Sequence, residues 1–188
     1  MSDKINVKKR NGRGTEPLDI EKIHQMVAYA CEGLSGVSES QVEIQSGLQF
    51  YDGVTTEEIQ QILINSANNL ITLDNPNYQF VAARLLLFSL RKQLFHKLWD
   101  HPKLSTHIKN CIDKKVYDED FLNYYSAADI DRLDSMIDHE RDYLFTYAGL
   151  RQVLDKYLVQ DRSNGDIFET PQFMYMMIAA TLFKNYPK

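Results

Sequence analysis

Apolar residues recur along this chain with two different periods, and the places where the period changes mark out the elements. Residues 5–10 read as a short strand and residues 15–18 as its return across Asn11-Gly12-Arg13-Gly14, so the pattern predicts a β-hairpin. Asp19 is the N-cap of a first helix. In it Ile23, Met26, Val27, Ala30, Cys31 and Leu34 fall at the spacing of one buried stripe, and Gly33 to Gly36 end it. Ser38-x-x-Gln41 is a capping box that opens a short helix to about Phe50, and Tyr51-Asp52-Gly53 is a turn. A second box, Thr55-x-x-Glu58, opens a third helix with Ile59, Ile62, Leu63, Ser66, Ala67 and Leu70 inward. Asn75-Pro76 opens a fourth, with Pro at the first helical position and Tyr78, Val81, Ala82, Leu85 and Phe88 facing the core.

The expected class is mainly α: an N-terminal β-hairpin covered by four helices over residues 1–96, then a helical domain over 97–188 with a small β-hairpin. A linker falls near His101-Pro102. Helical pieces follow over 104–114, 120–124 and 127–137, then a longer amphipathic helix over about 140–157 with Leu144, Tyr147, Ala148, Leu150, Val153 and Leu154 as its apolar members. Asn164-Gly165 between two apolar runs is a hairpin signal, and Pro171 starts a last helix that is apolar on most faces. Such a helix is buried; its Met174, Met176 and Met177 read as core rather than as a metal or redox site.

Charge adds one feature that periodicity does not give. The chain carries a formal charge of −5, yet over residues 2–13 Lys4, Lys8, Lys9, Arg10 and Arg13 face only Asp3. Cations at a Gly-bearing turn beside a helix start make a site for polyphosphate, with Arg91-Lys92 at the end of the fourth helix as a second basic pair to close over it. The alternative is a solvated basic surface. Acids concentrate between Asp113 and Asp142, ten against Lys114, Lys115, Arg132 and Arg141, which reads as a solvated helical face or as a surface for a basic partner. The acidic whole argues against a nucleic-acid binder. Cys31 and Cys111 lie far apart with no metal or disulfide spacing, and the five histidines share no ligand spacing, so no metal site is expected. His24 reads as half-buried. No signal peptide and no apolar run of membrane length is present, and the expected compartment is the cytoplasm.

V-x-K-R-x-G from Val7, D-x-x-K-I from Asp19, Y-D-G-V-T-T-E-E-I from Tyr51 and A-A-R-L-x-x-F-x-L-R-K from Ala82 together resemble an ATP-cone, the allosteric nucleotide-binding module of many ribonucleotide reductase large subunits. D-H-E-R-D-x-x-F-T-Y-A-G-L from Asp138 and K-Y-L-V-Q-D-R-x-x-G-x-I-F-E-T-P-Q-F-M from Lys156 resemble the helical domain that follows the cone in the class I enzymes. The resemblance covers the whole chain in the family's order. It implies the front of a ribonucleoside-diphosphate reductase large subunit, either cut from a longer chain or one product of a split gene. The catalytic barrel, with its radical cysteine and redox pair, would lie past Lys188. Cys31 and Cys111 match neither, so this portion alone is expected to be catalytically silent, with a regulatory role.

The resemblance also implies a site. Lys9 and its neighbour Arg10 match phosphate contacts after the first strand. Glu16, Pro17, Leu18, Asp19, Ile20, Glu21 and Lys22 match the hairpin-to-helix stretch, where Asp19 would meet adenine and Lys22 the phosphates. Thr56 and Lys92 match a threonine opening the third helix and a lysine closing the site. The effector would be ATP or dATP with Mg2+. The partners would be the barrel-bearing remainder of the large subunit and the small radical-generating subunit, in an oligomer. Gln60 and Ser89 stand where many class I cones carry histidines, which puts tight dATP inhibition in doubt. The hairpin is one residue longer than usual near Arg13-Gly14, which makes the register of residues 16–19 an open point. Two other functions compete: a helical assembly module with a degenerate cone, and a nucleotide-sensing repressor, which would carry a zinc ribbon that this sequence lacks.

Overall fold

A computed structural model of the chain describes residues 5–9 and 14–186. They divide into two compact units, Met1–Ser89 with Phe145–Leu150, and Leu90–Leu144 with Arg151–Lys188. Among the described residues, no helix is long and apolar enough to cross a membrane.

The first unit begins with β1 (Asn6–Lys8) and β2 (Thr15–Pro17), paired antiparallel with Val7 opposite Glu16. The hairpin is as expected, but it is not alone. Val54–Thr55 forms β3, which lies parallel to β1 and makes a three-stranded sheet of order β2-β1-β3. Two residues are too few to leave a strand signature in the sequence. Tertiary pairing makes this strand: Gly53 donates its N–H to Asn6 C=O at 2.8 Å, and Asp52 Oδ1 accepts the Asn6 N–H at 2.8 Å. Gly53, at φ +84°, supplies the left-handed turn that the Tyr51-Asp52-Gly53 signal demands.

Helices α1 (Ile20–Cys31), α2 (Glu39–Gly47) and α3 (Thr56–Asn69) follow, each starting at its expected cap. Asp19 accepts from Lys22 N–H, and Thr55 with Glu58 forms a reciprocal capping box. The Ser38 box is completed differently. Ser38 accepts from Gln41 N–H, but the return bond runs through the buried Tyr78 hydroxyl, which takes Ser38 N–H at 3.0 Å and donates to Gln41 Oε1 at 2.6 Å. Tyr78 opens α4 (Tyr78–Phe95), two residues after Pro76 rather than at it: Pro76 C=O accepts only the turn bond from Gln79 N–H at 3.1 Å, and the first bond of α-helical span runs from Val81 N–H to Asn77 C=O. Val27, Leu63, Val81 and Leu85 are buried in this unit on the stripes that the spacing gave, and Val7, Val42 and Val54 join them from β1, α2 and β3.

The second unit contains the C-terminal turns of α4, then α5 (Leu104–Asp113), α6 (Phe121–Tyr124) and α7 (Ala127–Ser135). The single helix expected over 140–157 is two pieces. A 3-10 helix covers His139–Leu144, and after a break α8 runs Tyr147–Lys156. Thr146 ends the continuity by acting as a cap, its Oγ1 accepting Gly149 N–H at 3.2 Å. Leu144 and Ala148, expected inward, are exposed as a consequence. β4 (Gln160–Asp161) and β5 (Asp166–Ile167) pair across Asn164-Gly165 as the turn signal requires, with Gly165 at φ +80°. α9 (Pro171–Phe183) starts at its proline, and its Phe173, Met177 and Ala180 join Leu104, Ile108, Phe121 and Ile130 in one core.

Candidate nucleotide site at the strand ends

Strand alternation decides which cations can act together. Lys9 lies two residues after the buried Val7 and extends the ladder by donating its N–H to Gly14 C=O at 3.0 Å. Side chains two apart share a sheet face, and so do residues directly opposite, so Val7, Lys9 and Glu16 point the same way. Lys9 Nζ accordingly reaches Glu16 Oε2 at 2.7 Å. Lys8 points to the other face, where its ammonium approaches Gly53. At this same end of the sheet, Lys8 pairs with Thr55, so that Thr56 and the start of α3 stand beside the ends of β1 and β2. Lys9 and Glu16 therefore meet on one side of the sheet, while Thr56 follows β3 on the far side of β1, at the same end as Lys9. In the hairpin Glu16 is opposite Val7 and Pro17 opposite Asn6, while Leu18 donates its N–H to Ile5 C=O at 2.9 Å. Arg10, with Asn11-Gly12-Arg13, lies outside the described residues.

Asp19 and Lys22 lie at the other end of the hairpin, where α1 begins. Asp19 Oδ1 accepts Lys22 N–H, and Oδ2 meets Lys22 Nζ at 3.2 Å. The hydrogen bond from Lys22 N–H is the main reason why the Asp19 carboxyl is held below its ordinary range. The helix starts are thus less open to an anion than expected. Asp19 takes one of the free N–H groups of α1, and α3 has its capping box with Glu57 and Glu58 in its first turn. The side-chain ammonium groups, rather than bare helix ends, are the candidates for meeting an anion here. Ile20, a site residue by resemblance, is 72% exposed; Glu21 accepts from Gln25 one turn on, and Thr56 Oγ1 donates to Glu57.

Three expectations about this region change. Arg91 is not a surface cation: it is fully buried in the second unit, donating to Tyr143 Oη at 3.0 Å and His139 C=O at 2.9 Å, with Asp142 Oδ2 at 3.6 Å. Lys92, the next residue on α4, is half-buried in the last turn of that helix. Gln60 is buried, and its amide donates to Leu85 C=O at 2.9 Å, so its hydrogen-bonding capacity is directed into the fold. His24 is exposed rather than half-buried, and its Nδ1 pairs with Glu43 at 2.7 Å, a contact that raises its pKa. The Lys9–Glu16 pairing follows from the hairpin register, which the sequence left open, and nothing in the sequence signalled the burial of Arg91.

The second unit has its own polar core. Tyr117 Oη donates to Glu169, whose other oxygen accepts Val159 N–H at 2.8 Å, and His107 Nε2 meets Tyr117 Oη at 3.1 Å. Cys31 and Cys111 are buried free thiols, and burial pushes each up to about 11, so both stay protonated at neutral pH.

A model of the ATP cone domain matches residues 5–93, and one of the ribonucleotide reductase all-alpha domain matches residues 143–187. The chain carries both domains, an ATP cone and a ribonucleotide reductase all-alpha domain. It is 43% identical over 188 residues to the ribonucleoside-diphosphate reductase subunit alpha of Haemophilus influenzae, covering all of this chain and 25% of that protein. Identity to the corresponding Escherichia coli K12 protein, ribonucleoside-diphosphate reductase 1 subunit alpha, is also 43%, over 24% of its length. The phage T4 subunit alpha is 40% identical over 185 residues, again 24% of its length. The chain thus spans about a quarter of the relatives it matches. The cone model accounts for the sheet and α1 to α4; the all-alpha model accounts for α8, the β4-β5 hairpin and α9.

Proposed function

We propose that the cone binds ATP or dATP as an allosteric effector and that the chain is the regulatory front of a ribonucleoside-diphosphate reductase large subunit. Residues 1–96 form the nucleotide-binding domain and residues 97–188 the helical domain that joins it to the barrel-bearing remainder. The observation that carries this reading is the pair of exposed lysines on the hairpin and the helix it feeds, Lys9 beside Glu16 at the end of the sheet where β3 leads into Thr56, and Lys22 on the first turn of α1. In this reading Lys9 and Arg10 hold phosphates with Lys22, Lys92 closes over them, and Pro17 to Glu21 line the base. Mg2+ travels on the triphosphate. Lysine suits this work as a mobile point charge, and arginine as a fork to two oxygens. The reduction itself belongs to the remainder of the subunit and to the small radical-generating subunit, in a cytoplasmic oligomer. With Gln60 directed to Leu85 C=O and Ser89 in place of a histidine, dATP should act on that assembly more weakly than on relatives with both histidines.

Calorimetric titration of the chain with ATP tests the reading. Charge-assisted hydrogen bonds contribute about 1.5–3 kcal/mol each, so Lys9→Ala should weaken binding roughly ten- to hundredfold. No detectable binding to the unmodified chain at millimolar ATP would leave the assembly-module reading in its place.

A further inference from the structure

Two of the three described lysines of the proposed site, Lys9 and Lys22, meet a carboxylate of the chain itself, and the two pairs differ in what else the carboxylate does. Asp19 caps α1, so its position is fixed by the helix whether or not Lys22 is bound elsewhere. Glu16 stands in the middle of β2, where its side chain serves no cap and extends to Lys9 Nζ at 2.7 Å. Lys9 and Glu16 are on the same face by register, and the side chains remain 42% and 38% exposed. An ion pair with that much water around it is weak and easily exchanged. A triphosphate brings several charges to the same ammonium and can displace a single carboxylate. Once displaced, Glu16 stays on the same sheet face and repels the phosphates that took its place.

We infer that Glu16 is a built-in competitor for the effector's phosphates: its carboxylate occupies Lys9 in the free cone and thereby sets how much nucleotide is needed to fill the site. This rests on the proposal that the hairpin binds a nucleoside triphosphate, and it assigns Glu16 a role opposite to that of a contact residue. A contact residue adds affinity. A competitor subtracts it, and does so without regard to the base.

The base-free probe separates the two. ATP and inorganic tripolyphosphate are titrated calorimetrically into the full chain, unmodified and as Glu16→Gln, at low ionic strength where exposed charges are least screened. Glutamine keeps the shape and removes the charge, and circular dichroism confirms that the fold is kept. Glu16→Gln should bind both probes about three- to tenfold more tightly, by a similar factor for each. In a Lys9→Ala background the same substitution should gain less than twofold, because Glu16 acts through Lys9. An unchanged or weaker affinity for tripolyphosphate overturns the inference, and weaker binding of ATP alone identifies Glu16 as a reader of the base instead. An equal gain with and without Lys9 overturns it as well, leaving only diffuse repulsion. If the unmodified chain and Glu16→Gln both bind neither probe, the nucleotide reading itself fails, an outcome distinct from ATP binding that Glu16→Gln leaves unmoved.

Discussion

Arg91→Met should destabilise the second unit by about 3–5 kcal/mol, while Lys92→Met, one residue on, should cost no more than about 1 kcal/mol. Arg91 has no exposed surface, and its guanidinium is held by Tyr143, His139 and Asp142 and lies 5.1 Å from the centre of the Tyr143 ring. Removing one member of a buried pair leaves the other without compensation, and Asp142 would keep only Gln172, at 3.0 Å. The carboxyl is already strained toward neutrality: burial raises it to about 6 against the opposing pull of Gln172 and Arg91. Replacing the whole pair, as Arg91→Met with Asp142→Leu, should therefore recover much of the loss, since apolar substitutes avoid the desolvation of both charges. Urea denaturation measures all three variants. ATP titration completes the comparison: Lys92→Met should lose about tenfold in affinity, on the scale of one charge-assisted hydrogen bond. A stable Arg91→Met chain that no longer binds ATP would return Arg91 to the phosphate site.

The contrast between Arg91 and Lys92 also shows where sequence reading reaches and where it stops. Features set by a few neighbouring residues were legible: the caps at Asp19 and Thr55, the Asn164-Gly165 hairpin, and the Pro171 helix start. Each is a local choice of backbone and side-chain chemistry. The inward stripes of α1, α3 and α4 were legible for the same reason, since a helix repeats every 3.6 residues whatever it packs against. What was missed depends on distant partners. β3 exists because Val54 and Thr55 find β1 nearly fifty residues away, and the Ser38 cap is closed by a tyrosine forty residues on. Arg91 and Lys92 look alike as cations in a row, yet adjacent helical positions point about 100° apart, and only the surroundings say which one enters a core. The candidate site lies between these cases. Its residue types came from resemblance, the Lys9–Glu16 pair follows from register, and the use of Gln60 on Leu85 C=O needed the packing of α3 on α4.

Acidification from pH 7 to pH 5 should lower the chain's melting temperature, by roughly 4–8 °C, through three histidines of the second unit. His101 and His139 stack with ring centroids 3.8 Å apart, and His107 stacks on Phe173 at 4.2 Å. Burial, with positive neighbours, lowers His101 to about 3 and His107 and His139 to about 4. Folded, the three rings stay neutral through this window, whereas unfolded histidines take up protons near 6.5. A group with a lowered histidine pKa gives stability that is complete above 6.5 and is lost as the pH falls below it. Asp142 has the opposite sign: raised to about 6, it takes its proton in the folded chain first, and it offsets about one of the three. Glu169, also raised by burial, offsets further at the acid end. His24 opposes too, since Glu43 raises it, but solvent screens that exposed pair. The net is on the order of 2 kcal/mol by pH 5 after allowance for partial exposure of the rings, and for a chain of this size each kcal/mol moves the melting point by about 2–4 °C. Scanning calorimetry at both pH values measures it, with His139→Phe as the internal control. Phenylalanine keeps a flat ring against His101 and cannot protonate, so that variant should lose less on acidification than the unmodified chain. A melting temperature that holds or rises toward pH 5 would mean that the imidazoles protonate freely within the fold and that their stacked arrangement carries no electrostatic cost.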